Sequence, residues 1–215
     1  TKMGRCILAV CMALGLVTLN TGCFKMAVPE DRPLPVILWP LPPDIPRVSF
    51  VNSLSRPEDM GIVEGALKSF LRFLAGSAET PMANPHGLEV DAEGRLYVVD
   101  QFLKKIHVYD AKEKRYFLLP DKGEAFVSPI DIAIDNKRGR IYVSDSAQAV
   151  VRVFSKEGFQ PAGEIRSGGL GRPTGIAVNE ATGELLVVDT LNSAILRFSL
   201  DDLGLKGFFG IEGSE

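Results

Sequence analysis

Pro129-Ile130-Asp131-Ile132-Ala133-Ile134-Asp135 leads through a turn at Gly139 into Ile141-Tyr142-Val143-Ser144-Asp145. Two short aliphatic runs flank a glycine turn, the pattern of an antiparallel strand pair. The same text stands on either side. Pro85-His86-Gly87 lies 44 residues upstream and Pro173-Thr174-Gly175 lies 44 residues downstream. Each opens an aliphatic run, Leu88-Glu89-Val90-Asp91 and Ile176-Ala177-Val178-Asn179, followed by a glycine at Gly94 or Gly183. Second strands follow at Leu96-Tyr97-Val98-Val99 and Leu185-Leu186-Val187-Val188, and each unit ends in an aspartate: Asp100, Asp145 and Asp189. Six residues beyond each aspartate, Ile106, Val151 or Ile195 begins a third strand that runs to Tyr109, Phe154 or Phe198.

A period in the forties built from short strands and fixed turn positions implies an all-β fold of propeller blades, four antiparallel strands per repeat. One blade alone is marginal, because its apolar faces are buried only when neighbours stack on them. At these residues the chain resembles the NHL-repeat family, over about 77–215. The resemblance is strong in the first two strands and weaker at the motif that names the family, where only Asn192 matches the asparagine, Lys105 is the nearest basic residue, and histidine is missing from all three repeats. The family implies a six-bladed ring, of which about three blades are present here, so the expectation is an incomplete propeller.

The amino terminus is read as an address. Lys2 and Arg5 precede an uncharged run from Cys6 to Leu19, too short to span a bilayer as a helix but suited to a signal peptide over residues 1–22. Leu19-Asn20-Thr21-Gly22-Cys23 resembles a bacterial lipobox, which implies lipid attachment at Cys23 and an exported protein anchored to the cell envelope, at the outer membrane. Removal of the signal takes away Cys6 and Cys11, so Cys23 remains as a lone thiol that has no internal disulfide partner. Residues 23–46 hold seven prolines between Pro29 and Pro46 and read as a stiff polyproline tether. Over 47–76, Arg47-Val48-Ser49-Phe50-Val51 alternates like a strand, and Val63, Ala66, Leu67, Phe70, Leu71 and Leu74 form one face of an amphipathic helix that Gly76 ends.

Composition restricts function. In 215 residues, 46% hydrophobic and 24% charged, 24 Lys+Arg meet 27 Asp+Glu for a net charge of −3. There is no basic excess to neutralise a phosphate backbone, so nucleic acid is not an expected partner. Two histidines and three cysteines offer few ligands for zinc or a redox centre; no cofactor, metal site or catalytic residue is assigned.

In a propeller the start of each first strand and the turn after each second strand share one end. That end is the expected binding rim, with His86, Asp131 and Thr174 at the channel mouth and Gln101, Ser146 and Thr190 beside them. Because Asp100, Asp145 and Asp189 recur in every turn, they read as structural acceptors of backbone N–H groups. The expected function is a membrane-anchored binding or scaffold module that docks a protein or small ligand on this face. The alternative is a metal-dependent propeller enzyme of the lyase or lactonase type, in which Asp131 and residues from further blades would supply calcium oxygens.

Overall fold

The computed structural model describes residues 37–41, 43–63, 65, 81–121, 125–166 and 169–210. The signal segment, Cys23 and the helical stripe beyond Gly65 lie outside these residues.

The chain divides into residues 1–52 and 53–215. In the first unit β1 (Leu38–Trp39) pairs antiparallel with β2 (Val48–Ser49). The proline-rich stretch therefore contains a two-residue strand where the sequence suggested polyproline throughout. The reason is local: Trp39 and Ile37 keep free carbonyls, which accept N–H groups from Arg47 at 2.9 Å and Phe50 at 2.8 Å. Only Val48 and Ser49 of the alternating segment 47–51 are strand, and both are exposed.

The second unit holds three four-stranded antiparallel sheets. Blade 1 is β3 (Pro85–Val90), β4 (Leu96–Asp100), β5 (Lys105–Asp110) and β6 (Arg115–Leu119). Blade 2 comprises β7 (Pro129–Asp135), β8 (Arg140–Asp145), β9 (Val150–Ser155) and β10 (Pro161–Ile165). Blade 3 comprises β11 (Pro173–Asn179), β12 (Glu184–Asp189), β13 (Ala194–Ser199) and β14 (Leu205–Phe209). Within each sheet the strands run in chain order, so every connection inside a blade is a hairpin. Among the described residues there is no α-helix; one 3-10 turn spans Pro57–Met60.

Strand alternation explains the stacking. On one face of blade 2, Ile132, Ile134, Ile141, Val143 and Phe154 pack on Tyr97, Val99, Ile106, Val108 and Leu119 of blade 1. On its other face, Ala133, Tyr142, Val151 and Val153 pack on Ile176, Leu185, Val187, Leu196 and Phe198 of blade 3. Successive residues of β7 and β8 thus serve opposite neighbours, which is why these strands read as nearly continuous apolar runs. At about 25 cal/mol per Å² of apolar surface removed from water, burial of these side chains stabilises the stack of blades.

The far face of blade 1 is capped by its own chain. Leu54, Met60 and Ile62 around the 3-10 turn, with Met82, cover Leu96, Val98, Tyr109 and Tyr116. Asp59 shapes the turn by accepting the N–H groups of Ser55 and Arg56 at 2.8 and 2.9 Å, and Gly61 leaves it with a φ of 70°. Nearer the axis the cover ends, and Leu88 (64%) and Val90 (51%) on β3 stay exposed.

Candidate functional site

The first strand of each blade carries the same irregularity two residues in. Register shifts between Pro85 and Leu88, between Pro129 and Ile132, and between Pro173 and Ile176. Two residues on the innermost strand oppose one on its partner, a β-bulge that turns side chains away from the ladder. The bulged pairs are His86-Gly87, Ile130-Asp131 and Thr174-Gly175, so the candidate mouth residues sit at the bulges. His86 is exposed, whereas Asp131 and Thr174 are half-buried.

Asp131 does not project as a free ligand. Its Oδ1 accepts the N–H of Ile132 at 2.9 Å and its Oδ2 accepts the N–H of Ile176, in blade 3, at 2.9 Å. Its own N–H donates to Ser144 Oγ at 3.1 Å, and that hydroxyl donates to the carbonyl of Thr174 at 2.6 Å. Blade 1 meets the same carboxylate with a glycine: a Cβ on Gly87 would lie 2.3 Å from Asp131 Oδ1 and 2.7 Å from its Cα. Close approach of two backbones explains the glycine there.

Gln101, Ser146 and Thr190 occupy equivalent positions after the second strands. Gln101 Nε2 donates to Ser128 Oγ at 3.3 Å, and Ser146 Oγ donates to the carbonyl of Pro173, so each ties its blade to the next. Thr190 instead donates to the carbonyl of Arg172 within its own blade, at 3.2 Å.

The three turn aspartates are fully buried and face backbone donors. Asp100 accepts N–H groups from Ala83 (2.6 Å), Asn84 (3.3 Å) and Leu103 (2.9 Å). Asp145 accepts them from Val127, Ser128 and Gln148 at 2.7, 3.0 and 3.3 Å. Asp189 accepts them from Gly171, Arg172, Leu191 and Asn192, and adds the Asn192 amide at 2.8 Å. Burial pushes the Asp100 and Asp189 carboxyls up, but their converging N–H donors outweigh it and hold both below the usual carboxylate range.

His107 lies on the capped face of blade 1, fully buried. Its Nδ1 is 2.8 Å from the Tyr116 hydroxyl, and its Nε2 is 3.4 Å from Asp100 Oδ2 without forming a hydrogen bond. Burial lowers its pKa below the ordinary imidazole value despite the nearby Asp100 charge. Burial, with Asp100 adding to it, pushes Tyr116 up to about 12. Sequence reasoning placed His107 on a third strand but missed this cluster, because Asp100 and Tyr116 come from the two strands that flank it. Among the described residues no three His, Cys, Asp or Glu side chains converge as metal ligands.

No family model matches the chain. It is similar to peptidylglycine alpha-amidating monooxygenase of Rattus norvegicus, with 29% identity over 134 residues that cover 54% of this chain and 14% of that protein. Among solved structures it is similar to hydrazine synthase of Kuenenia stuttgartiensis, with a TM-score of 0.52 and 17% identity, covering 63% of this chain and 38% of that one. Catalytically inactive virginiamycin B lyase from Staphylococcus aureus gives a TM-score of 0.50 and 16% identity, covering 62% of this chain and 43% of that one. A chain of a mitotic checkpoint complex gives 0.50 and 14%, with 60% and 38% covered. The fold is a β-propeller. Likeness at this level of identity speaks for architecture alone, and the chain spans well under half the length of each of these proteins.

Proposed function

We propose that the chain is an NHL-type propeller module, exported and held at the bacterial envelope by lipid on Cys23, whose rim docks a protein or small ligand. One observation carries the binding reading. The carboxylates that recur at the rim, Asp100, Asp145 and Asp189, together with Asp131, all accept backbone N–H groups. They fix loop geometry and are not poised for proton transfer or cation capture. The solved checkpoint complex, similar in fold, is a protein assembly, and propellers present such rims to partners. The anchor reading rests on Lys2, Arg5, the apolar run and Thr21-Gly22-Cys23.

The test uses a photo-crosslinking residue at Ala147, exposed on the rim, in cells that also carry wild-type or Cys23→Ala protein. One discrete crosslinked species, missing when the probe is moved to exposed Lys137 at the opposite end, together with release of Cys23→Ala from the membrane fraction, is the expected result. A stoichiometric zinc or calcium ion in the purified protein, with no rim-specific crosslink, would instead support the metal-dependent enzyme.

A further inference from the structure

The two ends of the blade stack differ in chemistry. At the end opposite the rim, Arg95 pairs with Asp91 and Glu93, Lys156 with Glu93, and Arg138 with Asp135 and Asp201. Charges of both signs neutralise one another there. At the rim end large apolar side chains stand in water instead, among them Phe102 (74%), Leu191 (69%) and Val127 (45%).

These side chains sit on a rigid base. Phe102 and Leu191 occupy the same position in their blades, one residue after Gln101 and Thr190, with Ala147 between them in blade 2. Each turn ends on a residue with positive φ, namely Lys104 (55°), Ala149 (51°) and Ser193 (49°). Each is held from below by its buried aspartate, which accepts the N–H of Leu103, Gln148 or Leu191. The bond from Gln101 to Ser128 ties the turn that carries Phe102 to the segment that carries Val127. Docking onto such turns orders little backbone, so little of the association free energy is lost to entropy. Two of the exposed groups adjoining the apolar side chains are cationic, Lys104 and Arg172, and among the described residues neither forms an ion pair. Among the described residues of this end, Asp121 on the linker after β6 is an exposed acid, exposed Glu164 near the end of β10 is paired with Arg166, and Asp131 is engaged by backbone donors.

Resting on the binding reading above, we infer that Phe102, Val127 and Leu191, flanked by Lys104 and Arg172, form a docking surface for an acidic polypeptide segment with apolar anchor side chains. Exposed aromatic and aliphatic anchors supply the desolvated contacts, and the cations select the sign of the rim. A chain of small polar groups would leave Phe102 and Leu191 in water, and a basic segment would meet Lys104 and Arg172.

The experiment selects a phage-displayed random dodecapeptide library against the full chain in detergent and measures binding of the selected consensus peptide. Enrichment of Asp and Glu around Phe, Leu or Trp is expected. Affinity should fall about tenfold in Phe102→Ser and in Leu191→Ser, and about tenfold in Arg172→Glu, with unchanged melting because all three side chains are on the surface. Salt should weaken the wild-type interaction. No binder, enrichment of basic peptides, or affinity that survives all three substitutions overturns the inference. Binding lost instead through Lys112→Glu at the opposite end would sink this surface and leave a peptide-binding module standing. Peptides that behave as expected, without any rim crosslink in cells, would sink the proposed cellular role and leave the surface standing.

Discussion

Asp131 in blade 2 accepts the backbone N–H of Ile176 in blade 3 at 2.9 Å, while its second oxygen accepts from Ile132 at the bulge. One side chain thus closes the bulge that shapes the rim and joins two sheets. Asp131→Ala leaves both N–H groups without their acceptor and should cost about 1–3 kcal/mol. Urea unfolding followed by far-UV circular dichroism reads the loss. Asp131→Asn keeps one acceptor oxygen and should lose less. Equal stability of all three proteins would show that the contact contributes nothing.

Gly87 is the reciprocal position in blade 1. A methyl there meets Asp131 Oδ1 at 2.3 Å, Asp131 Cα at 2.7 Å and the Ile130 carbonyl at 3.0 Å. Gly87→Ala should destabilise by about 1–3 kcal/mol, the usual cost of overpacking. Because two of the three clashes are with backbone, removing the side chain in Gly87→Ala/Asp131→Gly should not restore the midpoint to that of Asp131→Gly alone. Full restoration would mean that blades 1 and 2 stand further apart than described.

Asp100 and Asp189 have folded-state pKa values below the ordinary 3.8. The sign follows from linkage: a carboxyl with a depressed pKa contributes stability that is complete above its unfolded value and is lost as pH falls through the folded one. Loss should therefore begin near pH 3.8 and deepen below it. Asp189→Ala should flatten that acid limb and cost about 1–3 kcal/mol at neutral pH, since four backbone donors lose their acceptor. Thermal melting as a function of pH checks both effects.

His107 acts in a different window. Its folded pKa lies below 6.5, so the unfolded chain binds the proton first. Stability should rise with pH up to about 6.5 and fall as pH drops beneath it. The cap should loosen with it, because Tyr109, stacked on the imidazole, and Tyr116, tilted against it, also carry Met60 and Ile62. His107→Asn should remove the pH dependence between about pH 8 and 5. A slope that persists in that variant would assign it to other groups.

The repeat was legible because propeller physics writes it into the chain at one period. Proline, aliphatic strand, glycine turn, second strand and buried aspartate each have a local cause, and each recurs 44 or 45 residues on. What was not legible depends on register or on distant sequence. Asp131 could be placed at the mouth, but a bulge decides that its carboxylate meets Ile176 and not solvent. The cap of Leu54, Met60 and Ile62 belongs to no repeat and carries no periodic signal. The partner of the strand at Val48–Ser49 escaped notice because the proline count hid Leu38 and Trp39, which can still pair. Phe102 and Leu191 were passed over because their polar neighbours Gln101 and Thr190 looked more like ligand-binding groups, although Gln101 serves to join blades and Thr190 bonds within its own.

Backbone amide hydrogen exchange across residues 85–210 tests the stacking of three blades most directly. Blade 2 is covered on both faces, so β8 and β9 should exchange slowest, while β3, with Leu88 and Val90 in water, and β14 should exchange fastest. Protection that is uniform across the three sheets, or highest in β3 or β14, would contradict the account.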